Sequence, residues 1–146
     1  MLISEDKIVK LIPQRHPMLM IGCLVSCHEK QAVSQLNIRH DNLFLDDHGF
    51  AVSGLMETMA QTAAARTGYL LNKQGGMTNK KPPIGVIGSI KNFRLYFQPE
   101  TGSTITTTIE VEHEVLQATI IKGRVEAGGK LAAEGDLQIY LTEEQA

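Results

Sequence analysis

From Ser103 to Val115 the chain alternates, placing Ile105, Thr107, Ile109 and Val111 on one side of an extended segment. Lys130 to Leu141 repeats the pattern through Leu131, Ala133, Leu137, Ile139 and Leu141, and strand-like character also covers Ile84 to Phe97 and Ala118 to Ala127. The turn sequences PETGS and AGGK divide these stretches as hairpin connections do. Nearer the amino end, Met18 to Cys27 and Gln31 to Arg39 favour strands. The second carries Ala32, Ser34, Leu36 and Ile38 on one face, and His-Glu-Lys makes the turn between the two. Ser4, followed by Glu5 and Asp6, predicts the start of a short leading helix marked by Ile8, Leu11 and Ile12 and ended by Pro13.

The middle of the chain follows a different rule. His40 to Gly49 is polar, with Asp41, Asn42, Asp46 and Asp47, and reads as a loop. A long helix is predicted from about Val52 to Lys73, with Ser53 or a neighbour as its start signal and Gly75-Gly76 as its stop. Ala60, Ala63, Ala64 and Ala65 make this helix thin, so that a sheet can approach its axis closely. After the loop QGGMTNKKPP the chain returns to strands. Two strands, one long helix and a meander of three or more strands predict an α+β fold in which an antiparallel sheet curls around an enclosed helix.

Composition narrows the classes. At 146 residues and 42% hydrophobic content the chain suits one domain over its whole length. A net charge of -2 argues against nucleic-acid binding through bulk positive charge. The stretch from Gly49 to Leu71 is apolar enough to suggest a membrane span, but Glu57, Gln61 and Arg66 interrupt it at about one-turn intervals, so it reads as a buried helix and no membrane partner is expected. The amino-terminal MLISEDKIVKLIP has acidic residues where a signal peptide needs a basic lead, which makes a cytoplasmic location the expectation.

Cys23 and Cys27, four apart in a predicted strand, would sit about 13 Å from each other at about 3.3 Å per residue, too far for a disulfide. The five histidines are scattered, and no metal site is expected. Glu110, Glu112, Lys122, Arg124, Glu126, Glu134 and Asp136 lie mostly opposite the apolar positions and read as a solvated face.

Between Gly49 and Ala65 the only ionisable side chain is Glu57. In an enclosed helix, desolvation would disfavour its anion and suit it to acid or base chemistry near neutrality. The same spacing also allows Glu57 to face solvent at a sheet edge. Gln61, one turn further along, is placed to hydrogen-bond Glu57 or a bound water. His48 lies in the loop before the helix, where an imidazole can face a pocket, although loop histidines are often inert. The helix start near Val52, Ser53 and Gly54 offers unpaired N–H groups to a carbonyl oxygen that gains negative charge. Histidine, carboxylate and oxyanion site are the parts needed to enolise a thioester.

The order PQRHPMLMI, HGFAVSGLMETMAQTAAA and GSIKNFRLYFQPETGS resembles the 3-hydroxyacyl-acyl-carrier-protein dehydratases of the FabA/FabZ type, in the hot-dog superfamily. Glu57-Thr-Met-Ala-Gln61 is similar to that family's acidic residue followed by Met-Ala-Gln. Pro13, Arg15 and Pro17 match its amino-terminal signature, and Ile90, Asn92, Arg94 and Gly102 fit its later strand and turn.

The resemblance implies a homodimer, with higher assembly open, whose sites take His48 from one subunit and Glu57 from the other. The histidine removes the α-proton of a 3-hydroxyacyl thioester and the carboxyl group protonates the departing hydroxyl, giving a trans-2-enoyl thioester in fatty-acid or polyene-type biosynthesis. No cofactor is needed, because the elimination only requires an enolate to be stabilised and protons to be moved. Val52, Ser53, Gly54 and Gln61 are the implied substrate contacts.

HGFAVSG departs from the family by being shorter between histidine and carboxylate and by lacking proline. Val52 stands where the family's oxyanion glycine is expected, with Gly54 as a substitute. A divergent branch associated with aryl polyene pathways, whose motif also runs closely into Met-Ala-Gln, is the nearer likeness.

The substrate carrier is expected to be acyl carrier protein or coenzyme A. Arg66, Lys73, Lys80, Lys81, Lys91 and Arg94 are candidates for a basic rim that would dock an acidic carrier. A hot-dog thioesterase in which Glu57 activates water, and a non-catalytic acyl-binding or assembly subunit, are the competing readings.

Overall fold

A computed structural model describes residues 1–73, 82 and 84–142. A single helix, α1 (Val52–Lys73), lies against one six-stranded antiparallel sheet. The strands are β1 (Cys23–His28), β2 (Gln31–Asn37), β5 (Ile84–Leu95), β6 (Thr104–Val115), β7 (Ala118–Ala127) and β8 (Lys130–Thr142), in the spatial order β1-β2-β6-β7-β8-β5. Two short strands, β3 (Leu45–Asp46) and β4 (Gly49–Phe50), form a separate hairpin just before the helix. The helix packs against all six strands of the large sheet. This wrapped-helix arrangement is the hot-dog fold.

The alternating pattern explains the core. Ile105 and Ile109 of β6, Ile121 and Val125 of β7, and Leu137 and Ile139 of β8 are fully buried on the concave face, against Leu55 and Met59 of the helix. Each such side chain contributes about 1.5–3 kcal/mol by leaving water. The alanines act as the sequence suggests: Ala60, Ala63, Ala64 and Ala65 are all buried, and their small size lets the sheet close over the helix. Polar groups in this layer pair with one another. Ser34 Oγ and Thr62 Oγ1 are 2.7 Å apart, Thr62 Oγ1 donates to the Thr58 carbonyl at 2.6 Å, and Thr58 and Thr107 hydroxyls are 3.2 Å apart.

Several expectations change. The leading helix is a single 3-10 turn, Ile8–Lys10, whose Ile8 is buried in the core with Leu11 and Ile12 beside it. β1 begins at Cys23 rather than Met18, because the Met18 carbonyl and the Met20 N–H bond a side chain of α1 instead of a neighbouring strand. The supposed loop before the helix contains the β3–β4 hairpin. The helix bounds agree with the sequence pattern, although Ser53 is an exposed residue of the first turn and the Leu55 N–H bonds the Ala51 carbonyl. Gly75-Gly76, Lys80 and Lys81 lie outside the described residues. Cys23 is buried, Cys27 half-buried, and both are free thiols.

Arg66 is a larger correction. It is 3% exposed and forms no part of a basic rim. Its Nε and Nη2 donate to the Glu29 carbonyl at 3.0 and 2.6 Å, and Nη2 also donates to Glu114 Oε1 at 2.9 Å. These contacts tie the helix to the β1–β2 turn and to the end of β6.

The amino-terminal segment packs tightly on α1 at Gly68. A Cβ on Gly68 would collide with the Leu11 carbonyl oxygen and backbone. Alanine is favoured over glycine in a helix by about 1 kcal/mol, whereas an overpacked buried contact costs about 1–3 kcal/mol. Gly68→Ala is therefore expected to lower stability in urea unfolding, by up to about 2 kcal/mol after the helix preference is subtracted. A raised unfolding midpoint would contradict this packing.

Candidate active site

Glu57 projects from the second turn of α1, about 7.5 Å along the axis from Val52 at 1.5 Å per residue. Its carboxylate is half-buried within one chain. Gln61, one turn on and 1% exposed, holds it: Gln61 Nε2 donates to Glu57 Oε2 at 2.9 Å. The same Nε2 donates to the Met18 carbonyl at 2.9 Å, and Gln61 Oε1 accepts from the Met20 N–H at 2.6 Å. Both ends of the amide are thus used, which fixes its orientation and leaves one defined position for the Glu57 oxygen it holds. The second Glu57 oxygen has no protein partner among the described residues.

His48 sits at the exposed tip of the β3–β4 hairpin, in the two-residue turn Asp47-His48. Its N–H donates to Asp46 Oδ1 at 2.8 Å. The Gln98 side-chain amide donates to both Asp46 oxygens, at 3.1 and 3.0 Å, and to the Phe50 carbonyl at 3.2 Å. The His48 N–H and the Gln98 amide hold the Asp46 carboxyl below its ordinary value, since both favour the charged form. Gly49, at φ +124°, leaves no room for a Cβ, which would stand 2.6 Å from the Pro99 carbonyl oxygen. The Phe50 N–H bonds that same oxygen at 2.8 Å, and the Ala51 N–H bonds the Phe44 carbonyl at 2.7 Å, joining the hairpin to the start of the helix.

At the helix start, the N–H groups of Val52, Ser53 and Gly54 meet no backbone acceptor among the described residues. Gly54 has a packing role as well, because a Cβ there would lie 2.6 Å from the Phe50 ring and 2.9 Å from Phe44 Cβ.

The structure therefore brings Glu57 and Gln61 together and joins the His48 hairpin to the helix start. Among the described residues, no hydrogen bond or ion pair links His48 to Glu57 within one chain. A cavity of about 490 Å³, lined by residues including His16, Leu19, Met20, Leu36 and Leu43, contains neither of them and is not the space in which they would act. Burial pushes the Cys27 thiol up to about 11, against the opposing pull of Arg66 and Lys73, so it is a poor nucleophile. Among the described residues, no group of three or more His, Cys, Asp or Glu side chains is arranged to hold a metal ion.

Sequence reasoning missed Asp46 and Gln98. The Asp-x-His spacing of Asp46 and His48 is a local turn signal, but the partner lies 52 residues away from Asp46.

A helix enclosed by a six-stranded antiparallel sheet, with the half-buried Glu57 on its second turn, defines a hot-dog protein with a carboxylate on the central helix. The solved structure of the dehydratase heterocomplex ApeI:P from Xenorhabdus doucetiae shares this fold, with a TM-score of 0.79 at 16% identity over 94% of this chain and 91% of that one. An uncharacterized protein from Pyrococcus horikoshii, PH1136, aligns with a TM-score of 0.65 at 14% identity over 99% and 98%.

Two sequence relatives are each named 3-hydroxyacyl-[acyl-carrier-protein] dehydratase FabZ. That of Natranaerobius thermophilus is 30% identical over 94% of this chain and 96% of its own length. That of Ruminiclostridium cellulolyticum is 24% identical over 97% and 99%. Residues 6–146 match the ApeP-like family, described as ApeP dehydratase, and the chain belongs to that family. It is a dehydratase.

Because the folded Asp46 pKa is lowered, its contribution to the hairpin is complete above the ordinary value of 3.8 and is lost only as pH falls through the lower folded value. An NMR titration of the His48 backbone N–H is expected to show its midpoint below 3.8. A midpoint at or above that value would show that the Asp46 contacts do not persist in solution.

Proposed function

We propose that His48 and Glu57 perform the elimination by which this dehydratase converts a 3-hydroxyacyl thioester into a trans-2-enoyl thioester and water. The observation that carries the assignment is the Gln61 bond to Glu57, which aims a carboxyl group from the enclosed helix while leaving its other oxygen free. In the reaction, the His48 imidazole takes the α-proton, electrons move toward the thioester carbonyl, and Glu57 gives a proton to the departing β-hydroxyl. The free N–H groups of Val52, Ser53 and Gly54 point to the place where the developing oxyanion is stabilised. Gln61 acts through Glu57 and keeps its carboxyl in line with the leaving group.

The site is completed by a second hot-dog chain paired along β5. β5 is terminal in the sheet and exposes Val86 and Leu95, whereas the other terminal strand, β1, is bridged along its free side by Ile3. A long edge of this kind, unpaired among the described residues, favours strand pairing. The homodimer is the reading adopted for this chain; the heterocomplex from Xenorhabdus doucetiae makes an unlike partner the alternative to distinguish.

The FabZ relatives are named for acyl-carrier-protein substrates, which supports the same carrier here in fatty-acid or polyene-type biosynthesis. Exposed Lys73, Lys91 and Arg94 supply positive charge for an acidic carrier, without Arg66. A cytoplasmic location suits the two free thiols. No helix among the described residues is long and apolar enough to cross a membrane.

Enoyl absorbance with a 3-hydroxyacyl thioester tests the assignment. Glu57→Ala and His48→Ala are each expected to lower kcat by about 10²–10⁴-fold. Mixing the two variants after exchange of subunits is expected to restore about a quarter of wild-type activity, since half of the mixed dimers' sites regain both residues. Full turnover by either single variant would remove that residue from the chemistry. Single-variant losses without any recovery on mixing would contradict a site shared between two copies of this chain.

A further inference from the structure

We propose that Gln98 is a positioning residue for the dehydration, acting through Asp46 to hold the His48 hairpin in its working place. The inference rests on the assignment of His48 as the base and goes beyond it, to a side chain whose hydrogen bonds reach Asp46 and the Phe50 carbonyl rather than the imidazole.

His48 lies at the exposed tip of a hairpin whose strands are two residues each, β3 and β4. So short a ribbon has little stability of its own. Its place must be set by contacts with the rest of the fold, and the residues after β5 provide them. Gln98 spans the ribbon, reaching the Asp46 carboxylate on one strand and the Phe50 carbonyl on the other through one amide nitrogen. Asp46 passes the constraint on by accepting the His48 backbone N–H at 2.8 Å. Pro99 grips the second strand, with its carbonyl taking the Phe50 N–H at 2.8 Å and filling the space beside Gly49.

The two halves of the clamp differ. The Pro99 contacts are made by backbone and hold the β4 strand. Gln98, by contrast, reaches the strand and turn that carry His48 through the Asp46 carboxylate. Removing its amide leaves the hairpin attached at Phe50 but frees Asp46 from its side-chain donor. The imidazole would then sample positions away from the α-proton, and a misplacement of about 1 Å can cost about 100-fold in rate. Substrate binding at the helix would be little affected, since neither Gln98 nor Asp46 hydrogen-bonds Glu57, Gln61 or the first helical turn among the described residues.

Steady-state kinetics on the full-length assembled protein tests this, with thermal unfolding used to check that each variant folds. Gln98→Leu, which keeps the bulk and removes the donor, is expected to lower kcat by about 10–100-fold with KM within about twofold of wild type. Gln98→Glu, which sets a carboxylate against Asp46, should give the same split and serves if the leucine variant does not fold. Combining Asp46→Ala with the Gln98 change should cost no more than the worse single variant, because both break one connection. Wild-type kcat in both Gln98 variants while His48→Ala is impaired would overturn the proposal. So would single losses that multiply in the combined variant, or a KM rise matching the kcat fall. Full activity in His48→Ala would instead overturn the base assignment itself, and that outcome is read independently of Gln98.

Discussion

The structure depends most on one buried amide. Gln61 connects three parts of the chain that the sequence keeps apart: the Met18 carbonyl, the Met20 N–H and the Glu57 carboxylate. Because its oxygen is committed to Met20, its nitrogen must face both Met18 and Glu57, and the amide cannot turn over without breaking all three contacts. Removing it would leave the buried Met20 N–H unpaired, which costs about 1–3 kcal/mol. The same side chain therefore closes the amino-terminal segment over the helix and sets the direction of the acidic group. Stability and chemistry meet there, which explains why a polar residue sits at 1% exposure in an otherwise alanine-rich helix.

The second constraint concerns the proposed base, which sits on a four-residue ribbon with a two-residue tip. The fold answers by fixing the ribbon to the segment between β5 and β6 and to the start of α1. The glutamate comes from the interior of the helix, the histidine from an exposed tip, and the two are not joined within one chain. That division is what a site completed by pairing requires, and the open edge of β5 is where the proposed partner would align.

Most of the fold was legible because its signals are local. Period-two alternation marked β6 and β8 and strand-like composition marked β7, each almost to the residue, while start and stop signals placed α1 at about Val52 to Lys73. Glu57 and Gln61 stood out as polar residues on an apolar helix, and their spacing anticipated the bond between them. What the pattern missed depends on distant partners. Met18 to Gly22 has the composition of a strand, but Gln61 takes the Met18 carbonyl and the Met20 N–H, so bonding to β2 starts only at the Gly22 N–H, which donates to the Gln35 carbonyl at 2.7 Å. Arg66 looked like a surface cation until its position opposite the Glu29 carbonyl and Glu114 was known. The Gln98 contact with Asp46 joins the β3–β4 hairpin to the segment after β5, a proximity no periodicity encodes.

The central claim is that one acyl substrate lies between Glu57 and His48 supplied by two paired chains. A crystal structure of the assembled protein with a 3-hydroxyacyl thioester analogue tests it most directly. The account predicts the β-hydroxyl within hydrogen-bond distance of the Glu57 carboxyl and the α-carbon facing the partner's imidazole, with the two side chains about 6 Å apart. An analogue bound elsewhere, or a Glu57 carboxyl open to bulk water with every His48 remote from it, would contradict it.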